Sequence, residues 1–204
     1  MEKIIGTGAE AILIHKNNSL IKRRIKKSYR LKEIDDKLRK TRTKAEGKIL
    51  DKLKNIINVP EIIKIDKDNK EIIMQFIQGK KLSEYLDSFP LKQQEQICKE
   101  VGKGIGEIHN ENIIHGDLTT SNMILSQNKI FFIDFGLGFH SRRIEDKAVD
   151  LHLMKQALES KHFKNWQKLF NSVLQGYKTQ DKDKILNQFK KVESRGRYKS
   201  QACI

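Results

Sequence analysis

Apolar and polar positions alternate in short runs over the first quarter of the chain, and further along the apolar ones fall into helical spacing. "EKII" at 2–5 and "AILIH" at 11–15 flank a glycine-bearing turn, and Asn17-Asn18 leads into "SLIKRR" at 19–24, a pattern that predicts a small antiparallel meander. Leu31, Ile34, Leu38, Ala45, Ile49 and Leu53 then recur at helical intervals. Pro60 interrupts that pattern, and "EIIKI" and "EIIMQF" on either side of "DKDNK" predict a hairpin. From "GKKLSEYL" onward the spacing is helical to residue 110. "NMILS" and "KIFFID" frame one more hairpin around "QNK", and Glu145 to about Lys191 is helical again. Residues 192–204 read as a polar tail.

A strand-rich stretch followed by a mainly helical one predicts an α+β chain with two lobes. The expected division is 1–78 for a small β-rich N-lobe, 79–191 for a reduced helical C-lobe, and 192–204 for a basic C-terminal tail. The segment "QFIQGKKL" between the lobes is a candidate hinge, and clefts between lobes are where small ligands usually bind.

Composition narrows the class. At 204 residues, with 37% hydrophobic content and nine Phe, the chain can bury a real core, which argues against disorder throughout. No apolar run approaches the ~20 residues needed to span a bilayer, so no membrane role is expected. The opening "MEKIIGTG" lacks the sections of a signal peptide, and two cysteines, Cys98 and Cys203, make neither a disulfide framework nor a metal-ligand spacing. A reducing, cytoplasmic setting is the expectation. Charge points to a partner: the formal net charge is +15, and residues 21–44 alone hold 12 Lys and Arg against 3 Asp and Glu. Such a field attracts polyanions, nucleic acid first among them.

Four motifs carry candidate chemistry. In "GTGAEA", residues 6–11, Gly6 and Gly8 would let backbone N–H groups approach phosphate oxygens, with Ala9 and Glu10 completing the loop; taken alone the stretch reads as a hairpin turn. Lys22, on the third predicted strand, is of the kind that holds α- and β-phosphates when a helix carboxylate fixes its ammonium. Glu46 is the expected carboxylate and Glu33 the alternative. In "HGDLTTSN", residues 115–122, Asp117 would accept or orient a proton, and Asn122 would coordinate a divalent cation. In "FFIDFGLG", Asp134 offers a second cation ligand beside Gly136. Each motif is short, but their order along the chain, with matching strand and loop contexts, is that of kinases, and it predicts a two-lobed protein-kinase-like fold. His109 is expected to be structural, and His140, His152 and His162 form no metal-ligand spacing.

Departures from that pattern bear on substrate. Ala11 stands for the third glycine, Gly116 for the usual Arg before the catalytic Asp, and Thr119 for the usual Lys two residues after it. Only residues 137–144 separate "DFG" from "EDKAVDL", which leaves little platform for a protein substrate.

With "GAEA" at 8–11, "IKRRIKKSYR" at 21–30, "RTKAE" at 42–46, "HGDLTTSN" at 115–122, "IDFGL" at 133–137, "EDKAVDL" at 145–151 and "RGRYKS" at 195–200, the chain resembles the small atypical, RIO-like kinase/ATPase subunits of the KEOPS tRNA-threonylcarbamoylation complex, in their short archaeal form. The resemblance implies a Mg²⁺- and ATP-dependent enzyme, a Ser/Thr kinase by class. It would autophosphorylate, work as an ATPase, and dock on the complex's tRNA-modifying catalytic subunit among other subunits. It implies that Asp150 ties the catalytic loop's backbone to a core helix. It also implies that the basic tail, with Arg195, Arg197 and Lys199, reaches toward tRNA or the partner. A small-molecule phosphotransferase of the aminoglycoside- or choline-kinase type is the alternative.

Overall fold

The computed structural model describes residues 2–8 and 10–197, the side chains of the last two excepted. It divides into two compact units: residues 1–78 together with 131–138, and residues 79–130 together with 139–204.

The first unit is an antiparallel sheet with one long helix. β1 (Glu2–Thr7), β2 (Ala11–Lys16), β3 (Ser19–Arg24), β4 (Ile62–Asp66) and β5 (Glu71–Gln75) form a five-stranded sheet in the order β1-β2-β3-β5-β4. The helix α1 (Lys32–Leu53) buries Thr43, Glu46, Gly47, Leu50 and Leu53, residues three and four apart that share one face. A Cβ added at Gly47 would come within 2.4 Å of Ile65 Cδ1, so glycine there lets the helix approach β4 closely. Leu31 and Ile34, apolar and at helical spacing, are 70% and 58% exposed. They belong to the first turn, where Asp35 is the buried residue and accepts from Arg39 at 2.7 Å. The Asp-Phe-Gly segment, expected with the second lobe, clusters with this unit. Phe132 N–H donates to Asn58 O at 2.9 Å, and Phe132 and Phe135 are buried.

In the second unit, β6 (Lys80–Lys81) leads to the one-turn helix α2 (Leu82–Tyr85) and a short 3₁₀ turn at Leu86–Ser88. The helix α3 (Leu91–Asn110) follows Pro90, whose fixed φ suits a helix start. β7 (Ile113–Ile114) precedes the His-Gly-Asp loop, after which come β8 (Met123–Ser126) and β9 (Lys129–Phe132), whose last two residues group with the first unit. β10 (Phe139–His140) pairs with β7, a two-residue ladder too short to show in the hydrophobic pattern. Three helices complete the unit: α4 (Ile144–Lys161), α5 (Trp166–Gly176) and α6 (Lys182–Arg197). Residues 192–197, expected in the tail, are instead the end of a helix, and 198–204 lie outside the described residues. α6 continues through 192–197, where Glu193 binds Lys155 of α4 at 2.6 Å and Arg195 binds Glu145 at 2.6 Å.

The crossing of α3 with α5 and the turn after it is nearly backbone on backbone. A Cβ at Gly102 would lie 1.9 Å from Val173 O, one at Gly176 1.9 Å from Lys99 O, and one at Gly106 2.6 Å from Lys178 O. Val101, Ile105 and Ile108 of α3 and Leu169 and Val173 of α5 are almost fully buried. Each such side chain contributes roughly 1.5–3 kcal/mol by leaving water. Cys98, on the same helix, is buried, and burial together with Asp87 and Glu95 pushes its thiol up to about 12, which makes it inert near neutral pH. Cys203 lies outside the described residues.

Candidate active site

In the first unit the chemistry is built from β3 outward. Period-2 alternation puts Lys22 and Arg24 on one face of the strand, and register pairs Lys22 with Leu13 and with Ile72. Lys22 is 6% exposed. Its ammonium donates to Glu46 Oε1 at 2.6 Å and to Asp134 Oδ1 at 2.6 Å. Glu33, the alternative carboxylate, is exposed on the first turn of α1. Burial works against the Lys22 charge, but Glu46 and Asp134 outweigh it and hold its pKa above the ordinary lysine value.

Asp134 itself sits at φ 62°, a left-handed backbone that Asp tolerates better than most residues. The carboxylate also accepts from Gly136 N–H at 3.2 Å, and its side chain is 49% exposed. Strain of this kind persists where surrounding contacts over-determine it, and it clusters at functional sites.

The glycine-bearing turn behaves differently. Gly8 N–H donates to Ala11 O at 2.9 Å, and a β-bulge falls between Ile4 and Gly6. A Cβ at Gly6 or Gly8 would make only ordinary contacts, at 3.5 and 3.6 Å, and neither residue has positive φ. Among the described residues, nothing demands a glycine at either place. Ala9 lies outside the described residues. Glu10 is committed to Arg42 at 2.8 Å and Arg30 at 3.3 Å. Burial raises its pKa, but the two arginines outweigh that and hold it below the usual carboxylate range.

In the second unit, Asp150 of α4 organises the loop. Its Oδ2 accepts from His115 N–H at 2.7 Å and its Oδ1 from Gly116 N–H at 2.9 Å. His109 Nε2 lies 3.3 Å from the same carboxylate, and His109 Nδ1 lies 2.8 Å from Tyr177 Oη, so this histidine is a buried structural link. Gly116 has φ 78°, a conformation that an Arg there would adopt only under strain. Asp117 is exposed, while Asn122 is 9% exposed and donates from Nδ2 to Asp117 O at 2.8 Å and Asp117 Oδ2 at 2.9 Å. With its nitrogen turned to Asp117, the amide's oxygen is the end suited to a cation.

Among the described residues, no group of three or more His, Cys, Asp or Glu side chains can hold a metal ion unaided. Mg²⁺ does not require such a cage, since it is commonly held by one or two protein oxygens plus substrate phosphates. The half-exposed Asp134 and the oxygen of Asn122 are donors of that kind. No helix among the described residues is long and apolar enough to cross a membrane.

The residue that motif reading passes over is Arg24, 4% exposed and bonded to Glu46 Oε2 at 2.5 Å. Its signal was the i, i+2 spacing from Lys22, hidden by the surrounding run of basic residues. Of the tail residues, Arg195 lies on Glu145, the Arg197 side chain is not described, and Lys199 lies outside the described residues.

A strand lysine bonded to both a helix carboxylate and the Asp of Asp-Phe-Gly is the signature of a protein-kinase-like domain, and the protein kinase domain family model matches residues 1–164. A crystal structure of Rio2 kinase from Chaetomium thermophilum, an ADP/Mg²⁺-phosphoaspartate complex, shares the fold. Its TM-score is 0.61 at 13% identity, over 97% of this chain and 70% of that one. The KEOPS complex subunit Bud32 of Pyrococcus abyssi is 45% identical over 190 residues, covering 91% of this chain and 86% of its own length. The chain belongs to the Bud32 family. A probable bifunctional tRNA threonylcarbamoyladenosine biosynthesis protein of Methanobrevibacter smithii is 43% identical over 205 residues, and the match spans 97% of this chain but 37% of that protein.

Proposed function

We propose that the chain is a Mg²⁺-ATP-dependent phosphotransferase that works in the cytoplasm as an ATPase and atypical Ser/Thr kinase. Its setting is tRNA threonylcarbamoyladenosine modification, as a KEOPS subunit alongside the complex's tRNA-modifying catalytic subunit and tRNA. The observation that carries the chemistry is the buried Lys22 ammonium between Glu46 and Asp134. The relatives' names, a KEOPS complex subunit and a tRNA threonylcarbamoyladenosine biosynthesis protein, support the setting.

In this reading Lys22, steadied by Glu46, would take the α- and β-phosphate oxygens, and the turn that carries Gly6, Gly8 and Glu10 would lie against the phosphates. Asp134 and the Asn122 oxygen are the groups that would hold Mg²⁺, and the ion would supply positive charge to offset the negative charge developing in the transfer. Asp117 orients or accepts the proton of the attacking hydroxyl or water. The backbone just before it, at His115 and Gly116, is fixed by Asp150, so little reorganisation would be needed when the reaction begins. The gap of eight residues after Gly136 favours water, or a mobile hydroxyl of the chain itself, over a docked peptide.

Steady-state ATP hydrolysis by the full chain tests the proposal, measured alone, with the tRNA-modifying partner, and with partner plus tRNA. Mg²⁺-dependent turnover stimulated by both additions is expected. Turnover that responds to aminoglycosides or choline, and not to partner or tRNA, would replace this reading with the small-molecule one.

A further inference from the structure

Arg24 lies two residues beyond Lys22 on the same face of β3, and its backbone N–H is tied to Lys70 O at 3.1 Å. The Glu46 carboxylate is shared between them, with Oε1 on Lys22 at 2.6 Å and Oε2 on Arg24 at 2.5 Å. A Cβ built on Gly136 would stand 3.2 Å from Arg24 Nη2, 3.4 Å from Lys22 Nζ and 2.9 Å from Asp134 Oδ1. Two cations and two carboxylates thus crowd around the glycine of Asp-Phe-Gly, and the group is formally neutral.

Lys22 bonds both carboxylates, yet the function proposed above requires its bond to Asp134 to open. Asp134 must face a cation and Lys22 a phosphate. Glu46 then holds Lys22 through a single oxygen. A carboxylate gripped at one end only is free to turn and draw the ammonium back from the phosphate. Arg24 occupies the other oxygen with a fixed guanidinium, which removes that freedom. It also supplies the positive charge that offsets Glu46. Without it the group is net negative, which opposes a phosphate and favours a divalent cation.

We propose that Arg24 is a positioning residue of the nucleotide site, clamping and neutralising Glu46 so that Lys22 is available to phosphate. This rests on the Mg²⁺-ATP reading of the same site, and it goes beyond it by assigning a residue outside the kinase motifs.

The test is ATP turnover by the full chain with Arg24→Gln and Arg24→Lys, following KM for ATP, half-saturation by free Mg²⁺, and thermal melting. Arg24→Gln should raise KM for ATP about tenfold, the size of one lost charge-assisted hydrogen bond, while Mg²⁺ half-saturation stays level or falls. Arg24→Lys keeps the charge but not the fork, so it should recover most of the melting temperature and leave KM raised about threefold. An ion pair serving only stability moves melting temperature and folded fraction, leaving both half-saturations unchanged. That pattern, or ATP and Mg²⁺ requirements rising together, overturns the proposal. Should Arg24→Gln fail to fold, Arg24→Lys decides, and a wild-type KM in it counts against Arg24. Absence of Mg²⁺-ATP binding in the unmodified chain removes the nucleotide reading and this proposal together. Turnover intact in the unmodified chain and unaltered in both variants removes this proposal alone.

Discussion

The two clusters that carry the chemistry are held by different kinds of bond. Around Lys22 the contacts are between charged side chains, Lys22 with Glu46 and Asp134, and Arg24 with Glu46. Around Asp117 the anchoring contacts run from a buried carboxylate to backbone N–H groups, Asp150 to His115 and Gly116. A charged ligand competes directly for the first kind of bond and has no purchase on the second. The first cluster is therefore built to exchange partners, and the second to stay still.

The sharpest break in that contrast is Asp134→Ala set beside Asp150→Ala. Asp134 is half-exposed, and without it the buried Lys22 ammonium keeps Glu46 as its partner. Asp134→Ala should keep the melting temperature within a few degrees and lower turnover by about 10²–10³, as the loss of a group facing the developing charge does. Near-normal turnover at saturating Mg²⁺ would remove Asp134 from the metal. Asp150→Ala strands two backbone N–H groups and His109 in the interior, each costing about 1–3 kcal/mol. A loss of several kcal/mol in urea denaturation is expected, together with falling turnover. If Asp150→Ala lowered kcat while leaving the urea midpoint in place, the loop would not depend on that anchor.

How much of this the sequence shows follows from the range of the interactions. The meander, both hairpins and the helical C-terminal half rest on periodicities of two and three to four residues, and these are local. Lys22, Asp117, Asn122 and Asp134 stand out as candidates in the sequence because kinases place such residues in a fixed order. Arg24 was not legible, since its role depends on Glu46 and on Gly136, 112 positions away in the chain. The exposure of Leu31 and Ile34 was not legible for a related reason: they have helical spacing, but the buried position is occupied by Asp35, paired with Arg39 and facing Lys27 N–H. Helical spacing reports which residues share a face; it does not report which face finds a neighbour. The grouping of 131–138 with the first unit escapes local reading in the same way, because hydrogen bonds such as Phe132 to Asn58 have no sequence signature.

Glycines sharpen the contrast at smaller scale. Gly116, at φ 78°, serves the backbone of the fixed loop, and Gly116→Ala should cost roughly 1–2 kcal/mol for the left-handed conformation, with kcat falling alongside. Gly6 and Gly8 meet no such demand, so Gly6→Ala and Gly8→Ala should change folding free energy by less than about 0.5 kcal/mol. If phosphates approach that turn, those variants raise KM for ATP severalfold with melting unchanged. Stability losses at Gly8 matching those at Gly116 would show that the turn serves the fold alone.

The smallest effect concerns Arg195, where the expectation of a polyanion contact meets an observed ion pair with Glu145 at 2.6 Å. The pair is exposed, with the Arg195 side chain 66% accessible, and such a pair contributes about 0–1 kcal/mol. A partner that offers phosphate can therefore take the arginine from Glu145 at little cost. The two uses of Arg195 make opposite forecasts for Glu145→Gln. If Arg195 is available to RNA, Glu145→Gln strengthens tRNA binding slightly, because it frees the guanidinium and removes a repelling carboxylate. Arg195→Ala weakens it and lowers the log–log salt slope by roughly 0.7 to 0.9. If the pair only fastens α6 to α4, both variants lower the melting temperature by a similar small amount, and neither moves the salt slope. Titrations of tRNA at several salt concentrations, with melting curves for each variant, separate these outcomes. Basal ATP hydrolysis should be unchanged in both, since neither residue touches the Lys22 or Asp117 cluster.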